Sequence, residues 1–144
     1  MLDKADWERL IPHAGTMCLL DAVLAWDERP IHAVSAGHAR ADNPLRGPHG
    51  LHAVHLAEYG AQAMAVHGAL LARSRGAAGV RPGRLVSLRD VQLFVEYVDH
   101  LDGRLDVHAR CLYADDGGAQ YGFRVEHAGR LLASGRAAVI HPQS

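Results

Sequence analysis

The feature that most constrains this chain is a segment near its middle, residues 51–72, that is rich in Ala, Leu, Val and Met. Glu58 is the only Asp, Glu, Lys or Arg residue in that segment. About 20 apolar residues can cross a bilayer, but a carboxylate near the middle of such a span is costly in lipid. The segment is therefore better interpreted as a long helix, from about His52 to Arg73, buried inside a soluble protein. A helix that is apolar on nearly every side needs other elements to cover nearly every side.

The rest of the sequence predicts strands that can provide this cover. Before the long helix, the pattern predicts a short amphipathic helix over residues 3–10 and a hairpin with strands Met17–Trp26 and Ile31–Arg40. After it, alternating apolar and polar residues predict four further strands, Leu85–Val98, Arg104–Tyr113, Gln120–His127 and Leu131–His141. Tight turns between consecutive strands, such as Asp115–Gly118, are typical of an antiparallel meander. We therefore predict an α+β fold, a single domain over residues 1–144, in which a curved antiparallel sheet wraps around one long central helix.

Composition excludes several broad classes of protein. The chain has 15 basic and 16 acidic residues and a net charge of −1, so a broad basic surface for nucleic acid is not expected. The two cysteines, Cys18 and Cys111, are too few for a disulfide framework. The first ten residues include five charged ones and do not resemble a signal peptide. A reduced, cytoplasmic setting with no membrane span is the expectation.

Glu58 is the first candidate for chemistry. Burial of a carboxyl group in nonpolar surroundings favours its neutral form, which suits a general acid. Gln62 lies one helical turn further on the same face and could hydrogen-bond the Glu58 side chain. The alternative is a structural glutamate that pairs with an arginine or lies on a solvent-facing stripe. His13, which follows Pro12 in a short turn, is a second candidate because histidine is the usual proton carrier near neutral pH.

Two further groups of residues allow a binding interpretation. One group consists of four residues spaced by threes: His49, His52, His55 and Glu58. Each step of three residues drifts about 60° around a helix, so a closed metal site is not predicted.

The other group lies in a stretch without acidic residues, between Tyr59 and Arg89. That stretch holds four arginines around a glycine-containing loop: Arg73, Arg75, Arg81 and Arg84. This loop is either a solvated surface or a docking patch for an acidic partner or a phosphate.

Two segments together resemble the 3-hydroxyacyl-(acyl carrier protein) dehydratases of the hotdog superfamily. Residues 11–21 (IPHAGTMCLLD) resemble the family's "PH…LL-D" segment, and residues 58–63 (EYGAQA) resemble its "E-x-x-A-Q" helix. The form E-Y-x-A-Q-A is most similar to the predicted dehydratases of aryl polyene pigment clusters. The resemblance covers nearly the whole chain. It implies a hotdog fold, with His13 and Glu58 as the catalytic pair.

The resemblance also implies roles for other residues, with some departures. In the family, a glycine at the start of the central helix binds the substrate carbonyl through its backbone N–H. That Pro-Gly pair is replaced here by His52-Ala53, so the corresponding N–H would be that of Ala53. Two arginines common in the fatty-acid enzymes are replaced by Ala14 and Ala22.

The chemistry implied is elimination of water from a 3-hydroxyacyl thioester. A neutral His13 would remove the C2 proton and a protonated Glu58 would donate to the C3 hydroxyl. The acyl group would arrive on the phosphopantetheine arm of an acyl carrier protein, which is acidic and could bind the Arg73–Arg84 loop. No metal or organic cofactor is expected. In the family, two protomers of a dimer share each site. The alternatives are a hotdog acyl-thioesterase, in which the carboxylate activates water, and a catalytically weak subunit of a hotdog heterodimer.

Overall fold

The computed structural model describes residues 1–10, 18–76 and 84–140. Helix α1 is Lys4–Trp7 and helix α2 is Leu56–Ser74, which a 3-10 turn at Ala53–His55 precedes. Two further 3-10 turns lie at Glu8–Leu10 and Gly37–Ala39. The strands are β1 (Leu2–Asp3), β2 (Ala22–Trp26), β3 (Pro30–Ser35), β4 (Arg84–Leu93), β5 (Leu105–Asp115), β6 (Gly118–His127) and β7 (Arg130–Ile140).

The strands form one antiparallel sheet in the order β1-β2-β3-β5-β6-β7-β4. Strands β5, β6 and β7 are joined by tight turns and make a meander. Helix α2 lies between β3 and β4 in the chain, and β4 then pairs with β7 at the far edge of the sheet. This connection places α2 across one face of the sheet, where its buried side chains meet those of β3, β5 and β6.

Close packing of α2 on the sheet depends on small residues. The buried positions of α2 include Gly60, Ala63 and Ala69, and the ring of Phe123 from β6 packs against Gly60. A Cβ atom at Gly60 would lie 2.6 Å from two ring carbons of Phe123. On the other side of the ring, a Cβ atom at Gly135 of β7 would lie 2.8 Å from two of its carbons. The two glycines therefore set how closely the helix and β7 approach this ring.

The predicted architecture is confirmed: a curved antiparallel sheet covers one long helix. The boundaries differ in places. The α-helix begins at Leu56 rather than near His52, because the chain first makes a 3-10 turn. Strand β4 ends at Leu93 rather than Val98, and a bulge between Arg89 and Gln92 interrupts its pairing with β7, which resumes at Gln92 and Leu93. None of the helices within the described residues is long and apolar enough to cross a membrane.

Candidate functional site

Glu58 lies in the first turn of α2, and Gln62 positions its carboxyl group. The Gln62 side-chain amide is fully buried and donates to Glu58 Oε1 over 3.4 Å. Its own Oε1 accepts the backbone N–H of Leu19 at 2.8 Å. Gln62 therefore connects the half-buried carboxyl group of Glu58 to the segment before β2. The predicted contact between Gln62 and Glu58 is present in the structure.

The segment around Leu19, which Gln62 contacts, makes further hydrogen bonds with β3 and α1. Ser35 Oγ, at the end of β3, donates to the Leu19 carbonyl at 2.5 Å, and Lys4 Nζ donates to the Cys18 carbonyl at 3.1 Å. The side chains of Cys18 and Leu19 are buried. Because both backbone groups of Leu19 are bonded, the chain that follows residues 11–17 is held at a fixed position beside α2. His13 belongs to those seven residues and lies outside the described part of the chain.

The start of the helix has its own network of backbone bonds. The N–H of Ala53 donates to the Glu96 carbonyl at 2.8 Å, and the N–H of Val54 donates to Nδ1 of His52 at 3.0 Å. In this conformation the Ala53 N–H is used within the chain. A substrate carbonyl could accept from it only after displacing the carbonyl of Glu96.

Tyr59 and Asn43 form a polar contact next to Glu58 that the sequence analysis did not single out. Tyr59 is fully buried, and Asn43 Nδ2 donates to its hydroxyl oxygen at 3.1 Å and to the Gly37 carbonyl at 3.0 Å. Burial raises the pKa of the Tyr59 phenol, so this group is a neutral hydrogen-bonding anchor. It ties the loop after β3 to α2. The signal in the sequence was the single aromatic residue among Phe, Trp and Tyr in the helix.

The four predicted docking arginines are only partly described. Arg73 and Arg75 are exposed at the end of α2, and Arg73 Nη1 donates to the Asp6 carbonyl at 3.1 Å. Arg84 begins β4, and its backbone alone is described, while Arg81 lies outside the described residues.

Among the histidines spaced by threes, His49 is exposed and His52 and His55 are half-buried. Within the described ranges, no three His, Cys, Asp or Glu side chains are grouped so that they could hold a metal ion.

Two fully buried histidines complete the polar interior. His67 on α2 donates from Nε2 to the Asp27 carbonyl at 2.8 Å and accepts the Tyr121 hydroxyl at Nδ1 over 2.6 Å. His38 donates from Nε2 to the Leu101 carbonyl at 2.8 Å, and its Nδ1 has no hydrogen-bond partner among the described residues. Burial lowers the pKa of both rings, so each is neutral near pH 7.

Comparison with known proteins identifies the family. The sequence model of the ApeP-like family, described as ApeP dehydratase, matches residues 5–144. The chain belongs to the ApeP-like dehydratase family. Comparison with curated proteins found no match. The prediction of a dehydratase, a hydro-lyase, is confirmed.

Solved structures agree on the fold. The dehydratase heterocomplex ApeI:P from Xenorhabdus doucetiae contains a chain with a TM-score of 0.84 and 23% identity, and the match covers 95% of this chain and 91% of that one. AziG from S. sahachiroi has a TM-score of 0.58 and 25% identity, over 85% and 90% of the two chains. The thioesterase enzyme SAV0944 from Staphylococcus aureus has a TM-score of 0.63 and 14% identity, over 84% and 93%. The fold is the hotdog fold.

Proposed function

We propose that this dehydratase removes water from a 3-hydroxyacyl thioester carried by an acyl carrier protein and yields a trans-2-enoyl thioester. The observation that carries the proposal is the placement of Glu58 in the first turn of α2, where Gln62 orients its carboxyl group. Glu58 is the only carboxylic acid on the central helix. A carboxyl group in this setting can donate a proton to a leaving hydroxyl group.

In the proposed reaction, His13 accepts the C2 proton of the substrate while Glu58 protonates the C3 hydroxyl group. The electron pair of the broken C2–H bond forms the C2=C3 double bond, and the C3–O bond breaks to release water. His13 ends protonated and Glu58 ends ionised, so one proton must return from the imidazole to the carboxylate before the next turnover. The proposal needs no metal or organic cofactor, because the thioester itself makes the C2 proton acidic.

A second hotdog subunit is part of the proposal. Within the part of the chain that the structure describes, strand β4 pairs only with β7 and forms one edge of the sheet. Three apolar side chains at its end are exposed: Val91 by 38%, Leu93 by 37% and Phe94 by 47%. An unpaired strand edge beside exposed apolar side chains favours pairing with another chain. Similarity to a chain of the ApeI:P heterocomplex supports a heteromeric partner here, and a homodimer is the alternative.

We place acyl carrier protein docking at the arginines around the end of α2. Arg73 and Arg75 are exposed there and have no ion pair within the described residues. Together with Arg81 and Arg84 they would supply the positive charge that an acidic carrier protein recognises. The double variant Arg73→Glu/Arg75→Glu should raise KM for the carrier-bound substrate and leave kcat nearly unchanged.

The test is an assay with 3-hydroxyacyl thioesters of graded chain length, with this chain alone and together with a second hotdog subunit. Dehydration produces a 2-enoyl thioester that absorbs in the near ultraviolet, whereas thioesterase activity releases a free thiol. His13→Ala should lower the rate at least ~10²-fold, within the usual range for an acid–base group. His49→Ala is the control, since His49 is exposed. Thiol release without enoyl product would contradict the proposal.

Mixing variants tests whether chains share sites. If each site takes His13 from one copy and Glu58 from another, mixing the His13→Ala and Glu58→Gln proteins should partly restore activity. No recovery after subunit exchange, which native mass spectrometry can verify, would contradict sharing between identical chains.

A second candidate is a catalytically weak subunit that serves an active hotdog partner. The bond from the Ala53 N–H to the Glu96 carbonyl favours it, because the donor expected at a substrate carbonyl is already used. Full turnover by the purified chain alone would exclude this role.

A further inference from the structure

The orientation of the Gln62 side-chain amide decides which of its atoms faces Glu58. An amide side chain has an acceptor end, its oxygen, and a donor end, its nitrogen. The backbone N–H of Leu19 can only donate, so it must meet Gln62 Oε1, and this bond is 2.8 Å long. The nitrogen end of the amide therefore faces Glu58 Oε1, at 3.4 Å. With the amide reversed, the N–H of Leu19 would meet an NH2 group and Glu58 would lose this donor.

The contact with Gln62 also distinguishes the two oxygens of the Glu58 carboxyl group. In a neutral carboxyl group, the oxygen without the proton is the stronger acceptor, so Oε1 is the oxygen that accepts from the amide. A neutral Glu58 then carries its proton on Oε2, which is the oxygen that would protonate a leaving hydroxyl group. The position of this proton depends on Gln62 and, through Gln62, on the position of Leu19.

The end of β3 holds the segment that contains Leu19. Three consecutive residues there bind residues 19–21. The Val34 carbonyl accepts the N–H of Asp21 at 2.8 Å, and the N–H of Ala36 donates to Asp21 Oδ2 at 2.7 Å. Between them, Ser35 Oγ donates to the Leu19 carbonyl at 2.5 Å. Of these three bonds, only the one from Ser35 reaches Leu19.

Ser35 is a rigid anchor for this contact. Its side chain is 1% exposed, and its backbone pairs with Leu105 of β5. The neighbouring carbonyl, that of Cys18, accepts from Lys4 Nζ at 3.1 Å. A lysine side chain is long and flexible, so this second bond fixes the segment less closely than the short serine side chain does. Ser35 therefore determines where Leu19 lies relative to β3.

We propose that Ser35 is a positioning residue for dehydration. Its hydroxyl group holds Leu19, the N–H of Leu19 sets the orientation of the Gln62 amide, and the amide holds Glu58 with its proton on Oε2. Ser35 acts through these groups and need not touch the substrate. Loss of its hydroxyl group would leave the buried carbonyl of Leu19 without this donor, and a carbonyl in that state moves toward another donor or water. The inference rests on the proposed function and adds a residue from β3 to its site.

A comparison of two leaving groups tests this role. A hydroxyl group at C3 needs a proton in order to leave, whereas chloride leaves without one. With a 3-chloroacyl thioester, the base still removes the C2 proton, the electron pair of the C2–H bond forms the C2=C3 double bond, and the C3–Cl bond breaks to release chloride. A residue that positions the proton donor therefore matters for the 3-hydroxyacyl substrate alone. A residue that only supports the fold affects both substrates equally.

Ser35→Ala should lower kcat for the 3-hydroxyacyl thioester by about 10- to 10²-fold, as expected for a misplaced catalytic group, with little change in KM. Its rate with a 3-chloroacyl thioester of the same chain length, corrected for spontaneous elimination, should stay close to that of the unsubstituted chain. Ser35→Thr keeps the hydroxyl group and should recover much of the lost rate. Ser134→Ala is the matched control, because Ser134 is a half-buried serine of β7 that lies in register with Arg124, and it should leave both rates unchanged.

Nuclear magnetic resonance of the 15N-labelled protein tests the same contacts without an activity assay. In Ser35→Ala, the backbone amide of Leu19 should exchange with solvent faster, and the side-chain amide signals of Gln62 should shift. In Ser134→Ala, neither should change. These signals report on the positioning contacts whatever the substrate is.

Three results would overturn the inference. The first is an unchanged rate of Ser35→Ala with the 3-hydroxyacyl substrate, and the second is an equal loss of rate with the two substrates, which would make Ser35 a residue of the fold only. The third is an unchanged exchange rate at Leu19 together with unchanged Gln62 signals in Ser35→Ala. Failure of the proposed function is a different outcome, since the unsubstituted assembly would then form no enoyl thioester from any 3-hydroxyacyl substrate, and the resonance measurement would still decide whether Ser35 positions Gln62.

Discussion

Of the two glycines on α2, Gly60 should be the one where an added methyl group is more damaging. An ordinary contact between carbon atoms is about 3.5–4.0 Å, whereas a Cβ atom at Gly60 would lie 2.6 Å from Cγ and Cδ2 of Phe123. Gly60→Ala must therefore move the helix or the ring by about 1 Å. Phe123 cannot retreat freely, because its far edge packs against Gly135 of β7.

Gly68 on the same helix provides the matched control. A Cβ atom at Gly68 would meet none of the described residues within 4 Å. In both variants, alanine gains about 0.8–1.0 kcal/mol of helix propensity over glycine, so that gain cancels when the two are compared. What remains is the cost of overpacking at Gly60, about 1–3 kcal/mol. We expect Gly68→Ala to raise the free energy of unfolding. The free energy of unfolding of Gly60→Ala should be lower than that of Gly68→Ala by about 1–3 kcal/mol.

Urea unfolding followed by far-ultraviolet circular dichroism measures this difference. With a slope of about 2 kcal/mol per molar urea, the two midpoints should differ by about 0.5–1.5 M. Phe123→Leu in the Gly60→Ala background should recover part of the loss, because the smaller side chain leaves room for the methyl group. Equal stability of Gly60→Ala and Gly68→Ala would refute the account of how α2 packs on the sheet.

Two further predictions concern the buried histidines and the loop before α2. Burial lowers the pKa of His38 and His67 below the ordinary histidine value of 6.5, so in acid the unfolded chain binds more protons than the folded chain. The free energy of unfolding should therefore fall as the pH drops below about 6.5, by up to about 1.4 kcal/mol per pH unit for each ring. Urea titrations at several pH values measure this slope, which His67→Gln should reduce; a stability that rises toward pH 5 would contradict the assignment of neutral rings. Gly50 has φ +115° and its Cβ would collide with the Asp99 carboxylate, whereas Gly76 has φ +76° and open space, so Gly50→Ala should lower the thermal midpoint more than Gly76→Ala does. Equal losses in the two alanine variants would show that the collision with Asp99 contributes nothing.

Much of the fold could be predicted because its signals are local. The apolar segment with one carboxylate predicted the central helix, and alternation with turn residues predicted β5, β6 and β7. The end of β4 could not be predicted in this way. Asp90 adopts φ 55° inside a bulge, and the interruption depends on pairing with β7, which is distant in sequence.

The candidate site was predictable in part for the same reason. The contact of Gln62 with Glu58 follows from helical spacing, since the two residues are one turn apart. The contacts of Gln62 with Leu19 and of Asn43 with Tyr59 join residues 43 and 16 positions apart, and only the folded chain brings them together. Likewise, the hydrogen bond from the Ala53 N–H to the Glu96 carbonyl joins the turn before α2 to the segment that follows β4, and the sequence alone does not bring these two segments together.

The most direct test of the account is the dehydration rate of Glu58→Gln, measured by enoyl thioester formation in the assembly with the highest activity. Glutamine has nearly the same shape and can keep a contact with Gln62, but it cannot donate the proton that the leaving hydroxyl group needs. Glu96→Gln is the control, because Glu96 is exposed and acts here through its backbone carbonyl. The account predicts a loss of at least ~10²-fold for Glu58→Gln with the fold intact and almost no loss for the control. A Glu58→Gln protein that dehydrates the substrate at the unsubstituted rate would contradict it.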